Sequence, residues 1–202
     1  MSSTVGHMAE AIIYDATLNP TKDELLSEHS PIVEPLGSYR AVDRDGEVGI
    51  EVLVGHDANG ALRQFGVSYR EAGAKLDDEL TPMDHSVLGA RSVAPLTTDP
   101  VAVRELIQTI LAGGEGASFS NGEPIFAVRG TGQTPDVTVS AAEIEDHNEY
   151  TSIGSVDIDG EAHRYQLRIT REILDAQVAE PDDLALVRAD DGVILMRLEV
   201  WK

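Results

Sequence analysis

The Asp-Gly and Asn-Gly dipeptides at positions 45–46, 59–60, 159–160 and 191–192, each beside strand-like runs, constrain this chain more than any other feature of it. Asn and Asp tolerate a positive φ and Gly adopts one readily, so such pairs reverse the backbone tightly between antiparallel strands. The flanking patterns agree. In residues 47–54, Val48, Ile50, Val52 and Val54 share one face by the two-residue period of a strand, while Glu47, Gly49 and Glu51 share the other. In residues 161–169, Arg164, Gln166 and Arg168 alternate with Tyr165, Leu167 and Ile169, which predicts a sheet with one solvated face. Type I′ turns are expected at Asp45-Gly46 and Asn59-Gly60. Further strands are expected over residues 61–70, 86–93, 124–129, 136–140, 151–158, 184–188 and 193–200, and residues 11–14 are strand-like in composition. Asp77-Asp78-Glu79 and Pro82 mark an exposed loop, and the acidic residues 143–149 suit a helical turn or a loop.

Two helices interrupt this pattern. Thr21 and Glu24 have the spacing of a capping box, which opens a short helix over 22–29 with Leu25 and Leu26 inward, ended by Pro31 and Pro35. Asp99 is a good N-cap, Pro100 suits the first helical position, and Gly113-Gly114 supplies the stop. Between them Val103, Leu106, Ile107, Ile110 and Leu111 form one apolar stripe. That helix should lie on a sheet, burying Val103, Leu106, Ile107 and Ile110 with Val48, Ile50, Val52 and Val54. Two helices among many short strands predict an α+β fold: a mostly antiparallel curved β-sheet with two main helices packed on it.

Composition narrows the function. The chain carries 36 Asp and Glu against 15 Lys and Arg, a formal net charge of −21. That balance argues against nucleic acid and anionic membranes as partners, because phosphate binding is driven by Lys and Arg. No Cys is present, so disulfides, thiol catalysis and cysteine metal sites are excluded. No apolar run is long enough to span a bilayer and no secretory leader is visible, so a cytoplasmic location is expected. Residues 1–7, ending in Gly6-His7 before Met8, read as a tag or cloning remnant.

Recognisable chemistry is sparse. The glycine clusters at 113–116 and 130–132 read as turns, since no Gly-Lys-Ser/Thr follows either. The six histidines (His7, His29, His56, His85, His147 and His163) show no helical ligand spacing. Glu143, Glu145, Asp146 and Glu149 around His147 read as a solvated charge run, and Asp157-x-Asp159-Gly160 lacks the bidentate Glu of a calcium loop. No metal, cofactor or catalytic residue is assigned. Asp84-His85-Ser86 are consecutive and cannot form a triad, because strand neighbours point to opposite faces. His85 reads as a half-buried strand residue with one hydrogen bond. The polar candidates for a site on the concave face of the sheet are Glu51, Tyr69, Arg70 and His85. Trp201, the only Trp, is expected to pack under the last strand or cover a sheet edge.

Several segments occur in a telling order. These are Gly37-Ser38-Tyr39-Arg40-Ala41-Val42-Asp43-Arg44-Asp45-Gly46-Glu47-Val48-Gly49-Ile50-Glu51, then Val67-Ser68-Tyr69-Arg70, then Asp84-His85-Ser86-Val87-Leu88-Gly89-Ala90-Arg91, then Asp99-Pro100-Val101. With the 21–26 helix start before them, they resemble the N-terminal cap domain of maltokinases, as carried by actinobacterial proteins. Positions where that family has Trp hold His29 and Ser92 here. The resemblance divides the chain into a cap-like region, residues 8–114, and a β-rich extension, residues 115–202, packed with it as one compact unit. It implies a noncatalytic binding or regulatory module, whose partner is an enzyme of trehalose, maltose or glycogen metabolism. Kinase activity is not expected: nothing after Gly114 supplies a His-x-Asp catalytic loop or a metal-binding Asp segment. The alternative is an enzyme or small-ligand binder with an unrecognised site on the concave face.

Overall fold

A computed structural model describes residues 10–202; the remnant read at 1–7 lies outside them. The chain opens with strands β1 (Glu10–Ala11) and β2 (Leu18–Asn19), followed by helix α1 (Lys22–His29). Five strands come next: β3 (Ile32–Val42), β4 (Gly49–Asp57), β5 (Leu62–Glu71), β6 (Thr81–His85) and β7 (Gly89–Pro95). With β2 they form an antiparallel sheet in the order β2-β6-β7-β5-β4-β3, curled into a half-barrel. Helix α2 (Pro100–Ala112) leads to β8 (Ser118–Phe119), which pairs in parallel with β1. The rest is β9 (Val128–Gly130), β10 (Val139–Asn148), β11 (Thr151–Ile158), β12 (Glu161–Ile169), β13 (Ala185–Arg188) and β14 (Ile194–Trp201). These six strands form a second sheet, β10-β11-β12-β14-β13-β9, antiparallel throughout. The architecture is the α+β fold with a curved antiparallel sheet and two helices that the turn and stripe patterns predict.

The helix signals read from sequence form as expected. Thr21 and Glu24 make both hydrogen bonds of the capping box, and Leu25 and Leu26 are buried. The Asp99 side chain accepts from the N–H groups of Val101 and Ala102, and Gly113 closes α2 at φ 68°. The α2 stripe of Val103, Leu106, Ile107 and Ile110 joins one core with Val48, Ile50, Val52 and Val54 of the half-barrel and with Tyr165, Leu167, Leu195 and Leu198 of the second sheet. Gln64 crosses that core: Tyr39 donates to its Oε1 at 2.8 Å, and its Nε2 donates to the carbonyls of Thr170 and Leu195, each at 2.7 Å. The hollow side of the half-barrel has its own core, where Leu25, Leu26 and Ile32 cover Leu53, Phe65, Val67, Met83 and Val93.

Several local expectations are corrected. Neither expected type I′ turn forms, because Gly46 and Gly60 have positive φ while Asp45 and Asn59 do not. The cause lies two residues upstream. The Asp43 carboxylate accepts from the N–H groups of Asp45, Glu47 and Val48, and Asp57 accepts from those of Asn59 and Ala61. Such side-chain bonds hold a wider reversal than the two-residue turn. Asp159-Gly160 does have both positive angles, 53° and 81°, and joins β11 to β12. The strand expected over 86–93 is split: residues 86–88 form a turn, Gly89 (φ 78°) starts β7, and Pro82, expected in a loop, lies within β6. Residues 143–148 lie within β10, an edge strand whose acidic side chains reach water. The apolar run at 11–14 is strand only at Ala11, and Ile12 and Tyr14 are exposed.

Candidate functional site

The segment between β1 and β2 crosses the mouth of the half-barrel. β1 lies beside β3 at one edge of the curled sheet, and β2 extends the other edge beyond β6. Residues 12–17 therefore run from edge to edge as a strap without regular structure. Serines fasten it at both ends. Ile13 N–H donates to Ser120 Oγ at 2.8 Å, and Thr17 N–H donates to Ser86 Oγ at 2.9 Å. Between them the edge of the Tyr14 ring meets the face of His85, or the reverse, with centroids 5.8 Å apart at 88°.

Beneath the strap is a cavity of about 370 Å³, walled by Lys22, Arg40, Tyr69, Met83, His85 and Arg91 among others. Glu51 does not line it, but its carboxylate bonds to three residues that do, Lys22, Arg40 and Tyr69. Alternation along β4 turns this carboxylate away from Ile50 and Val52, into the hollow, where it is 1% exposed. Its Oε1 accepts from Lys22 Nζ at 2.7 Å and Ser38 Oγ at 2.6 Å. Its Oε2 accepts from Tyr69 OH at 2.9 Å and faces Arg40 Nη2 at 3.0 Å. Burial alone would raise its pKa; the charges of Arg40 and Lys22, with the hydrogen bonds from Lys22 and Ser38, outweigh that and hold it at about 2. The Tyr69 hydroxyl is pushed well above its ordinary value by burial and by the carboxylate it faces.

The structure places two of the four polar candidates, Tyr69 and His85, in the wall of this cavity, and a third, Glu51, behind it. Glu51 and Tyr69 touch, and His85 stands in the same wall. The histidine ends β6, and its Nδ1 accepts from the N–H groups of Val87 and Leu88 at 3.2 and 3.1 Å, two hydrogen bonds where one was expected. The neutral ring therefore carries its proton on Nε2. Burial, followed by the charge of Arg91, lowers its pKa, and Arg40 and Lys22 act in the same sense. Arg70 does not belong to the site. As the neighbour of Tyr69 on β5 it points to the other face, where its Nε and Nη2 grip Asp99 at 2.7 and 2.6 Å. Asp99 is fully buried, so this pair anchors the start of α2.

Lys22, Ser38, Arg40 and Arg91 escaped the sequence reading. Arg40 shares the face of Ser38 on β3 and pairs directly with Glu51 in the register, which only the assembled sheet reveals. Arg40 and Arg91 each keep a buried Nε–H that finds no acceptor among the described residues. An unpaired buried donor costs about 1–3 kcal/mol. The acids of the lining do not answer them: Asp43 is taken by its own loop and by Arg104, while Glu10 and Glu47 are exposed at the rim. The wall thus sets three cations beside three carboxylates, of which Asp43 is already engaged and Glu10 and Glu47 are turned to water.

Among the described residues no group of three or more His, Asp or Glu is arranged to hold a metal ion, and no helix is long and apolar enough to cross a membrane. His147 lies 3.5 Å from Asp78, and Glu145 pairs with Arg164, so the acidic run around His147 does not converge. No family model matches this chain, and no curated protein matches it.

Proposed function

We propose that this protein is a noncatalytic binding module whose strap-covered cleft holds a small ligand. One observation carries the reading: the buried Glu51 carboxylate behind the cleft wall, bonded on both oxygens and held at about 2, is spent on positioning Lys22 and Arg40. General base catalysis needs an acceptor whose pKa lies near the working pH. Glu51 is far below it, and the acceptor nitrogen of His85 is held by the 86–88 turn. The arrangement favours binding over turnover, and so supports the small-ligand reading over an enzyme with an unfamiliar site. The ordered likeness of residues 8–114 to the maltokinase cap supports a regulatory role beside an enzyme of trehalose, maltose or glycogen metabolism.

The test is thermal denaturation with ATP, maltose, trehalose, glycogen and glucose 6-phosphate. A ligand that binds only the native state stabilises it by about 2.7 kcal/mol at a hundredfold excess over Kd. At least one of these compounds should raise the Tm, and a coupled ADP-release assay with maltose should show no turnover. Sugar-dependent turnover that follows the protein through size exclusion would overturn the reading.

A further inference from the structure

We infer that the cleft recognises its ligand through an oxyanion, the carboxylate or phosphate of a small organic acid or phosphate ester. This rests on the reading of the cleft as a binding site and states what that site selects. The chain has 15 Lys and Arg in a molecule of net charge −21, yet three of them, Lys22, Arg40 and Arg91, stand around this one cavity. Salt bridging does not exhaust them. Glu51 is one carboxylate shared by two cations, and among the described residues the Arg91 side chain donates to the Leu88 carbonyl alone, at 3.2 Å. Arg40 and Arg91 both stand in the lining, and each carries a planar guanidinium fork, whose geometry suits two oxygens of one anion. His85 adds an Nε2–H in the same wall.

Glu51 has a definite part in this. Buried and anionic, it holds Lys22 and Arg40 in place and prevents their charges from dispersing into solvent, as a preorganised anion site requires. It is a positioning residue. The ligand body would rest on Met83, Leu88 and the strap, which supply the apolar part of the lining.

Calorimetric titration at low salt tests the assignment with four probes: inorganic phosphate, glucose 6-phosphate, pyruvate and maltose. At least one anion should bind the wild-type chain, and added salt should weaken it. Its affinity should fall roughly tenfold or more in Arg91→Gln, which removes a charge-assisted donor. Leu88→Glu, which sets a carboxylate at the half-exposed rim, should do the same and carries the test if Arg91→Gln does not fold. Binding of phosphate compounds alone, or of pyruvate alone, supports the assignment and names the source of the oxyanion. Anion binding that neither variant alters would overturn it. Maltose binding without anion binding would also overturn it, while leaving the binding reading intact. Failure of all four probes, together with ATP, trehalose and glycogen, would remove the binding reading and this inference with it.

Discussion

Glu51 is tolerable in the hollow of the half-barrel only while its partners are present. Replacing it with Gln leaves Lys22 and Arg40 crowded without their counter-charge. Breaking a buried pair costs roughly 3–5 kcal/mol, and Lys22, with its side chain 36% exposed, moves the expected loss in Glu51→Gln to the lower end of that range. The effect has a pH signature. The carboxyl is depressed from 4.5 to about 2, so its stabilisation is complete above pH 4.5 and is lost as pH falls toward 2. In urea titrations the gap between wild type and Glu51→Gln should therefore narrow across that window, and a gap that stays constant would contradict the ion-pair account. Alternation along β4 made the placement of Glu51 legible. Tyr69 was named with it, but Lys22, Ser38 and Arg40 were not, because they come from α1 and β3 and meet Glu51 only once the sheet and helix have assembled. Arg70 stands apart for a related reason: it adjoins Tyr69 in sequence, and in a strand adjacency means opposite faces, so it meets Asp99 instead.

At the scale of elements, α2 carries its instructions locally. Its cap, its first-turn proline, its stripe and its left-handed stop are all encoded within sixteen residues or so of chain, a span short enough to be read without knowing the partners. Leu106 is 1% exposed among both sheets' side chains. Leu106→Ala should cost roughly 2–5 kcal/mol in urea melts, and a loss under about 1 kcal/mol, the range of surface changes, would mean the stripe does not pack as described. The reversals were less legible. The same Asp-x-Asp/Asn-Gly spelling yields a wide loop at 43–46 and 57–60 but a tight turn at 157–160. What decides is how many backbone N–H groups the leading Asp side chain gathers, three for Asp43 and two for Asp57. That count depends on burial and on what packs nearby, which the spelling alone does not record.

At the scale of the molecule, residues from before and after Gly114 share one core through α2, and Gln64 joins the half-barrel to the second sheet by hydrogen bonds. Unfolding should be a single transition: the fluorescence of Trp201, on the last strand of the second sheet, and the far-ultraviolet circular dichroism of the whole chain should change at the same urea concentration. Separate midpoints would show that the two sheets come apart independently. The sheet order β10-β11-β12-β14-β13-β9 was out of reach of local patterns, since hairpins specify neighbours in sequence while β9 finds β13 across more than fifty residues. The strap has a practical consequence. Residues 12–17 lack a strand's ladder of hydrogen bonds, and Tyr14 presents an aromatic side chain to water. Chymotrypsin should nick the native chain there before it cuts any sheet, and the nick should slow when the cleft is occupied. Occupancy would then be visible on a gel as the lifetime of one peptide bond, with no need to know in advance what the occupant does.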